Sequence, residues 1–421
     1  MTSGSGTERS AGAQAVLVSV TTLMVGFGLV ASVLGVRGTE EFSAPVVGLA
    51  GSVHYLGFLV GAFLVPRLVA SVGHIRVYAA LASAAAVSVL VFPFAVNAPT
   101  WVTTRLGFGL CISGMYIVAE SWLSAVSTNQ TRGRLLAVYL VTANVGVAVG
   151  QWVFSATGAT SALPFAIGSA LMSLSLIPLS LSRSPAPALP PPMARPPVRE
   201  VLRVAPLGPA TSIVSGIGVS LAMGIGPTYG VVSGFSVDRI AVLMAVAMIG
   251  GVVLQWPVGA ASDRLSRRRV ILVISLAATA VAVAGAFVRA DSVAVLVVFG
   301  AFTALSFPLY SLAISHVNDE IDPQLRVPAS AVLVMSYGIG SVIGPVVGGV
   351  AIQRIGPVSF WWLLAASTGL LAPYAVHRVL RRPHPGFGPE RGAPLMKHRP
   401  DADESLHGAG AAVDHLDGPQ R

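Results

Sequence analysis

The residues with chemical potential lie on one apolar stretch, RLGFGLCISGMYIVAESWLSAVSTNQTRGR over 105–134. Arg105 stands near one end and Glu120 near the other, and Arg132 and Arg134 follow. A charge in hydrocarbon costs roughly 2.5–3.5 kcal/mol on insertion scales, so a charged side chain kept there normally handles substrate, ions or protons. At 100° per residue, Arg105, Gly109, Tyr116 and Glu120 share one face about 60° wide, with Cys111 and Trp122 behind it. At 1.5 Å per residue the two charges are ~22 Å apart, too far to pair. The stretch therefore holds two sites. Arg105 is expected to feel substrate or protons. Glu120 is expected to latch to Arg132 or Arg134, with Tyr116 between the two sites.

Other polar side chains at membrane depth are His54, Tyr55, Tyr139, Asn144, Gln151, Gln255 and Tyr310. Singly each suits a helix–helix hydrogen bond; together with Tyr116 they would line a mixed polar and aromatic cavity. His54 has an ordinary pKa near ~6.5, which makes it the second coupling candidate beside Arg105. No carboxylate lies mid-membrane in spans one, seven or ten, which points away from a simple cation pump. No phosphate-binding loop, hydrolase triad or metal-ligand cluster appears, so neither an enzyme nor a bound cofactor or metal is expected.

These groups need a scaffold of membrane helices. The chain has 421 residues, 54% hydrophobic and 10% charged, against about 25% charged in soluble domains. Segments near 14–36, 45–65, 76–96, 100–123, 134–156 and 160–182 are each long enough to cross a bilayer. A second set follows at 205–232, 238–261, 270–288, 292–315, 327–351 and 357–380. A loop is expected over 37–43, and Pro66–Arg67 is expected to close span two. Residues 1–13 precede the first six-helix bundle (14–182), and the proline-rich run 183–204 reads as an extended linker to the second bundle (205–380). The tail, 381–421, has no apolar period and is expected to be disordered.

The formal charge of +9 follows topology rather than nucleic-acid binding. With the N-terminus inside, the inner loops and the start of the tail hold sixteen arginines. The outer loops hold four: Arg37, Arg239, Arg289 and Arg354. Positive charge retained on the cytoplasmic side places both termini, the linker and the tail there, in a multi-pass cytoplasmic (plasma or inner) membrane protein. The single cysteine, Cys111, lies within a span and permits no internal disulfide.

The halves echo each other. RGRLLAVYLVTANVGVAVGQ at 132–151 aligns without gaps on RVPASAVLVMSYGIGSVIGP at 326–345, setting Gly146 on Gly340 and Gly150 on Gly344. Gly259-Ala-Ala-Ser-Asp263-Arg264-Leu-Ser-Arg267-Arg268 joins spans eight and nine, and its acid among arginines suits a conformational latch. This string resembles the cytoplasmic loop motif of the major facilitator superfamily. Its first-half counterpart, Gly61 to Arg67, lacks the acid. Arg105-xxx-Gly109 resembles the same family's arginine motif, with Cys111 in place of the last glycine. Glu120 with Arg132-Gly133-Arg134 resembles its cytoplasmic gate. Gly340, Gly344, Pro345 and Gly348, with Gly349, resemble its antiporter motif, displaced from span five to span eleven. RGRLLA and LQWPVGAASDR resemble the YcaD-like branch most closely.

The resemblance implies an all-α membrane fold of two pseudo-symmetric six-helix bundles. It implies a secondary transporter that moves a small solute by alternating access, coupled to protons and acting as a monomer in lipid. A multidrug or metabolite efflux antiporter is the alternative within that class. A non-transporting sensor or scaffold, suggested by the soluble tail, is the alternative outside it. The orientation can be checked directly. In a Cys111→Ser background, Ser266→Cys should react with an impermeant maleimide only in inside-out vesicles, and Ser292→Cys only in right-side-out ones. The reverse pattern would invert the topology.

Overall fold

The computed structural model describes residues 4–127, 131–182 and 196–381. Among these, twelve helices or helix pairs are long and apolar enough to cross a membrane. The first six are span one (Gly12–Glu41), two (Ala44–Val72), three (His74–Phe94), four (Ala98–Val126), five (Ala137–Thr157) and six (Leu163–Ser180). The second six are span seven (Leu207–Val232), eight (Val237–Arg264), nine (Arg267–Phe287), ten (Ala294–Glu320), eleven (Pro323–Ile355) and twelve (Val358–Arg378).

Three boundaries differ from expectation. The loop expected over 37–43 is mostly helix, since the helix that holds span one runs Gly4–Glu41. Arg37 and Glu41 pair four residues apart at 3.6 Å, and no breaker intervenes before Ser43 and Pro45. Pro66 does not close span two. The helix continues to Val72 and stops at Gly73, whose φ of 91° falls where side-chain-bearing residues are strained. A mid-helix proline forfeits one backbone bond, a loss that neighbouring helices make tolerable in membranes. Within the expected linker, Val198–Val204 forms a short helix, and its Val201 is buried against Val317, Ile321 and Ala329. Most of the expected tail, 382–421, and linker residues 183–195 lie outside the described residues.

The pairing of helices repeats between halves. Span one packs on five, two on four, three on six and three on four. Correspondingly seven packs on eleven, eight on ten, nine on twelve and nine on ten. The glycine echo supplies the cause. A Cβ at Gly146 or Gly150 would strike the backbone of span one at Thr21 or Val25, and one at Gly340 or Gly344 would strike span seven at Ile213 or Ile217. Without a hydrophobic force between helices in lipid, such backbone approach is what holds spans together.

The two halves meet along symmetry-related seams, span two against eleven and span five against eight, with span one touching seven. These contacts gather toward the end opposite the arginine-rich loops. Gly48 rests on the Pro345 carbonyl, and Gly349 rests on that of Ala44. The Ser52 hydroxyl accepts from the Val346 amide at 2.9 Å. Thr39 donates to Thr228 at 3.0 Å, and Ser155 donates to Asp238.

This seam predicts a specific failure. Gly349→Val leaves no room for Ala44 and should part the halves at that end. In a Cys111→Ser, Ala50→Cys background, it should raise maleimide labelling of residue 50, which is only 6% exposed, several-fold. Unchanged labelling would show that the seam does not control access.

Candidate functional site

Span four is the spine of the site. Its start is capped by Asn97, whose side chain accepts from the Thr100 amide at 3.0 Å. Gly109 lets span four lie directly on the backbone of His54, and Gly57 of span two lies on the Leu106 carbonyl. That approach sets Arg105 within electrostatic reach of both His54 and Tyr55.

Arg105 is half-buried and borders a small recess with Leu34, Gly38, Phe42, Val46 and Trp101. It makes no ion pair among the described residues. By contrast, Arg37 pairs with Glu41, Arg289 pairs with Asp291, and Arg239 donates to three carbonyls at residues 290–292. His54 is buried in an aromatic stack, 6.1 Å from Phe27, 5.8 Å from Phe108 and 5.5 Å from Tyr55 by ring centroids. Its Nδ1 is buried and has no hydrogen-bond partner among the described residues. The Arg105 backbone lies within reach of the ring, which ties the imidazole to span four.

Glu120 lies toward the arginine-rich end of span four and is exposed, although its surroundings are protein. It accepts from the Tyr139 hydroxyl at 3.2 Å, and its charge acts on Tyr116 and on Tyr310 of the other half. Tyr310 packs on Tyr337 with ring centroids 5.0 Å apart and planes tilted by 58°. Tyr310 and Tyr337 thus form an aromatic pair on spans ten and eleven. Sequence reasoning missed Tyr337. Its signal was its place one turn before Gly340 and Ser341, on the span-eleven face that carries the glycines.

The other candidates divide. Tyr116 donates to the Met24 sulfur at 2.6 Å. Gln255 is exposed and reaches Ser311 of span ten at 3.5 Å. Asn144 donates to the Leu140 carbonyl of its own helix at 2.7 Å. Gln151 is buried as a strut to span one, accepting from Ser32 at 2.7 Å and donating to the Gly28 carbonyl at 3.0 Å. Gly348 packs on Leu221 and Ile225 of span seven. Cys111 is buried and free.

At the arginine-rich end, the Arg132 and Arg134 side chains lie outside the described residues. In the second half, Arg267 contacts Asp263 at 3.5 Å and Ser262 at 2.8 Å, and it also pairs with Asp319. Arg268 pairs with Glu320 at 2.6 Å. Arg264 is exposed. The acids that hold this loop therefore come chiefly from the far end of span ten, about fifty residues later in the chain.

The comparisons agree with this architecture. The model of the Major Facilitator Superfamily matches residues 11–238 and 210–405. The chain belongs to the major facilitator superfamily. An MFS-type transporter of Enterobacter sp. (strain 638) is 30% identical over 315 residues, 73% of this chain and 79% of that protein. The MFS-type transporter YcaD of Escherichia fergusonii is 28% identical over 337 residues, 77% of this chain and 87% of its own. These relatives set the chain in the YcaD-like branch of the superfamily. The nucleoside transporter NupG shares the fold with a TM-score of 0.72 at 15% identity, covering 88% of this chain and 100% of that one. A bacterial homologue of the human lysosomal transporter Spinster, solved inward-facing and unoccupied, aligns with a TM-score of 0.64 at 15% identity, covering 89% and 95%. The chain is thus a twelve-span, all-helical membrane protein of a transporter family.

The two ion pairs at the loop should differ in worth. The Arg268 and Glu320 side chains are only 10% and 21% exposed, whereas Asp319 is 51% exposed. Glu320→Ala should cost about 2–3 kcal/mol, since it removes the acid of a largely buried ion pair. Asp319→Ala should cost under about 1 kcal/mol. Thermal unfolding of the detergent-solubilised protein checks the order, and equal shifts would refute it.

Proposed function

We propose that the chain is a secondary transporter that moves a small solute across the cytoplasmic membrane by alternating access, driven by a proton gradient. One observation carries the reading. The halves are clasped at the end away from the arginine-rich loops, through Gly48, Gly349, Ser52 and Thr39, while Glu120 stays exposed amid tyrosines from both halves. Two bundles clasped at the end away from the arginine-rich loops fit one of the two states that alternating access needs. On the arginine count, the unclasped end is the cytoplasmic one and both termini lie there.

Coupling is assigned to His54 and Arg105. His54 packs beside the half-buried Arg105, so a proton taken up by the imidazole would meet the guanidinium charge and be eased by its displacement. That ties the proton to a rearrangement of spans two and four. The cytoplasmic gate is assigned to Glu120, Arg132 and Arg134 in the first half. Asp263, Arg264, Arg267 and Arg268 form it in the second.

Proteoliposomes test the reading. With an imposed pH gradient and a broad solute panel, the wild-type chain should accumulate at least one solute. His54→Gln should abolish gradient-driven accumulation while leaving solute counterflow intact. Deleting 383–421 should leave transport unchanged. Failure of every solute to move would remove the transport reading. Equal accumulation by His54→Gln would remove the coupling assignment alone, and a chain that moves no solute but loses a bound partner on tail deletion would be the scaffold alternative.

A further inference from the structure

The short helix between the two bundles, Val198–Val204, carries a pattern that neither the fold nor the transport reading uses. One side of it is settled. Val201 is buried against Val317 and Ile321 at the end of span ten and against Ala329 near the start of span eleven. Both of those ends are on the arginine-rich side, and Leu207 opens span seven three residues after the helix stops. The backbone leaves helical geometry at Ala205, with φ −133° and ψ 50°, so the helix does not run on into span seven. It lies at the level where the spans emerge from hydrocarbon.

The other side chains divide by angle. At 100° per residue, with Val198 at zero, Leu202 falls at about 40°, Arg199 at about 100°, Arg203 at about 140°, Glu200 at about 200° and Val201 at about 300°. Going round the helix, the protein-facing side is followed by an apolar stripe, then a basic stripe, then the single acid. Val198 and Leu202, one turn apart, are 42% and 51% exposed. Arg199 is exposed and makes no ion pair among the described residues. Arg203 reaches Glu200 at 2.8 Å, with both side chains in solvent, and such a pair holds its arginine weakly. Arg326 opens span eleven next to Leu325 of the same apolar cluster and adds a third guanidinium at this level.

That order is the one a helix needs to lie in a bilayer surface: apolar side chains enter the acyl boundary, arginines meet the headgroups, and the acid turns to water. A guanidinium grips a phosphate through two parallel hydrogen bonds. A protein partner would have to bring an apolar groove and an acid together to the bilayer edge, where lipid already supplies acyl chains and phosphate side by side. We propose that Val198–Val204 docks on the leaflet at the arginine-rich side, Val198 and Leu202 entering it and Arg199 and Arg203 binding the phosphates of anionic lipids. The proposal does not depend on the transport reading. Because this segment is part of the one covalent join between the bundles, its anchoring makes that join responsive to the charge of the membrane.

The test uses the full-length chain with Cys111→Ser and either Val198→Cys or Glu200→Cys, labelled with an environment-sensitive fluorophore. It is reconstituted in nanodiscs of phosphatidylcholine, alone or with about one third phosphatidylglycerol. Lipid bearing a nitroxide near its headgroup should quench the label at 198 at least threefold more strongly than the label at 200. Quenching at 198 should rise at least twofold with phosphatidylglycerol, and adding Arg199→Gln with Arg203→Gln should remove that rise. Inorganic phosphate added to neutral discs should not reproduce it. Thermal unfolding of each variant shows that the fold is kept. The proposal falls if the two labels are quenched equally, if lipid charge has no effect, if the double variant still responds, or if free phosphate substitutes for the anionic lipid. A label at 198 shielded from water yet not quenched by lipid would assign the face to a protein surface and overturn the proposal equally.

Discussion

The structure depends on one constraint: helices in hydrocarbon gain nothing from hiding apolar surface from one another. Association must come from close van der Waals contact and from the few polar bonds available. Here glycines meet that need at every major seam. Gly109 and Gly57 set span four on span two. Gly146 and Gly150 set five on one, Gly340 and Gly344 set eleven on seven, and Gly48 with Gly349 joins the halves. The first pairs make each half rigid. The last is the only one of these seams that crosses between them; it runs from Gly349 on Ala44 to Gly338 on Leu59 and carries single hydrogen bonds such as Val346 to Ser52.

The fold was legible because hydrocarbon imposes length and apolarity so strictly. All twelve spans were placed from runs of apolar residues, and the glycine echo between 132–151 and 326–345 is the same echo that spaces the inner helices. The errors are local and have local causes. The Arg37–Glu41 pair extends a helix past the apolar run, where a hydropathy argument stops. Pro66 reads as a stop in water, but in a packed bundle the helix absorbs it and Gly73 ends the span. Val198–Val204 is helical because Val201 finds a groove beside spans ten and eleven, which no pattern inside 183–204 reveals.

The site was legible in kind but less so in partnership. Arg105, His54 and Glu120 stand out as titratable or charged groups in apolar runs, and no structure is needed to pick them. Which groups they meet is a matter of tertiary packing. That His54 would sit in a stack of Phe27, Phe108 and Tyr55, or that Asp319 and Glu320 would answer Arg267 and Arg268 from across span ten, lies in no local spacing. Gln151 shows the opposite limit. A glutamine in a span has the composition of a binding residue, yet both its bonds go to span one, and its chemistry is spent on holding the bundle together.

The two charges of span four illustrate how one helix can serve both ends of such a protein. Arg105 lies beside the clasped seam, through Tyr55, whose ring approaches Gly224 of span seven, itself packed on Pro345. Glu120 lies toward the arginine-rich end, where its hydrogen bond goes to Tyr139 of span five. Any movement that closed the Glu120 end and opened the Gly48–Gly349 end would exchange their surroundings, drying the carboxylate and wetting the guanidinium. Water exclusion changes the energy of a charge by several kcal/mol. Such a movement would bias span four oppositely at its two ends. An occupant or proton that neutralises one end shifts the balance at the other without any contact between them.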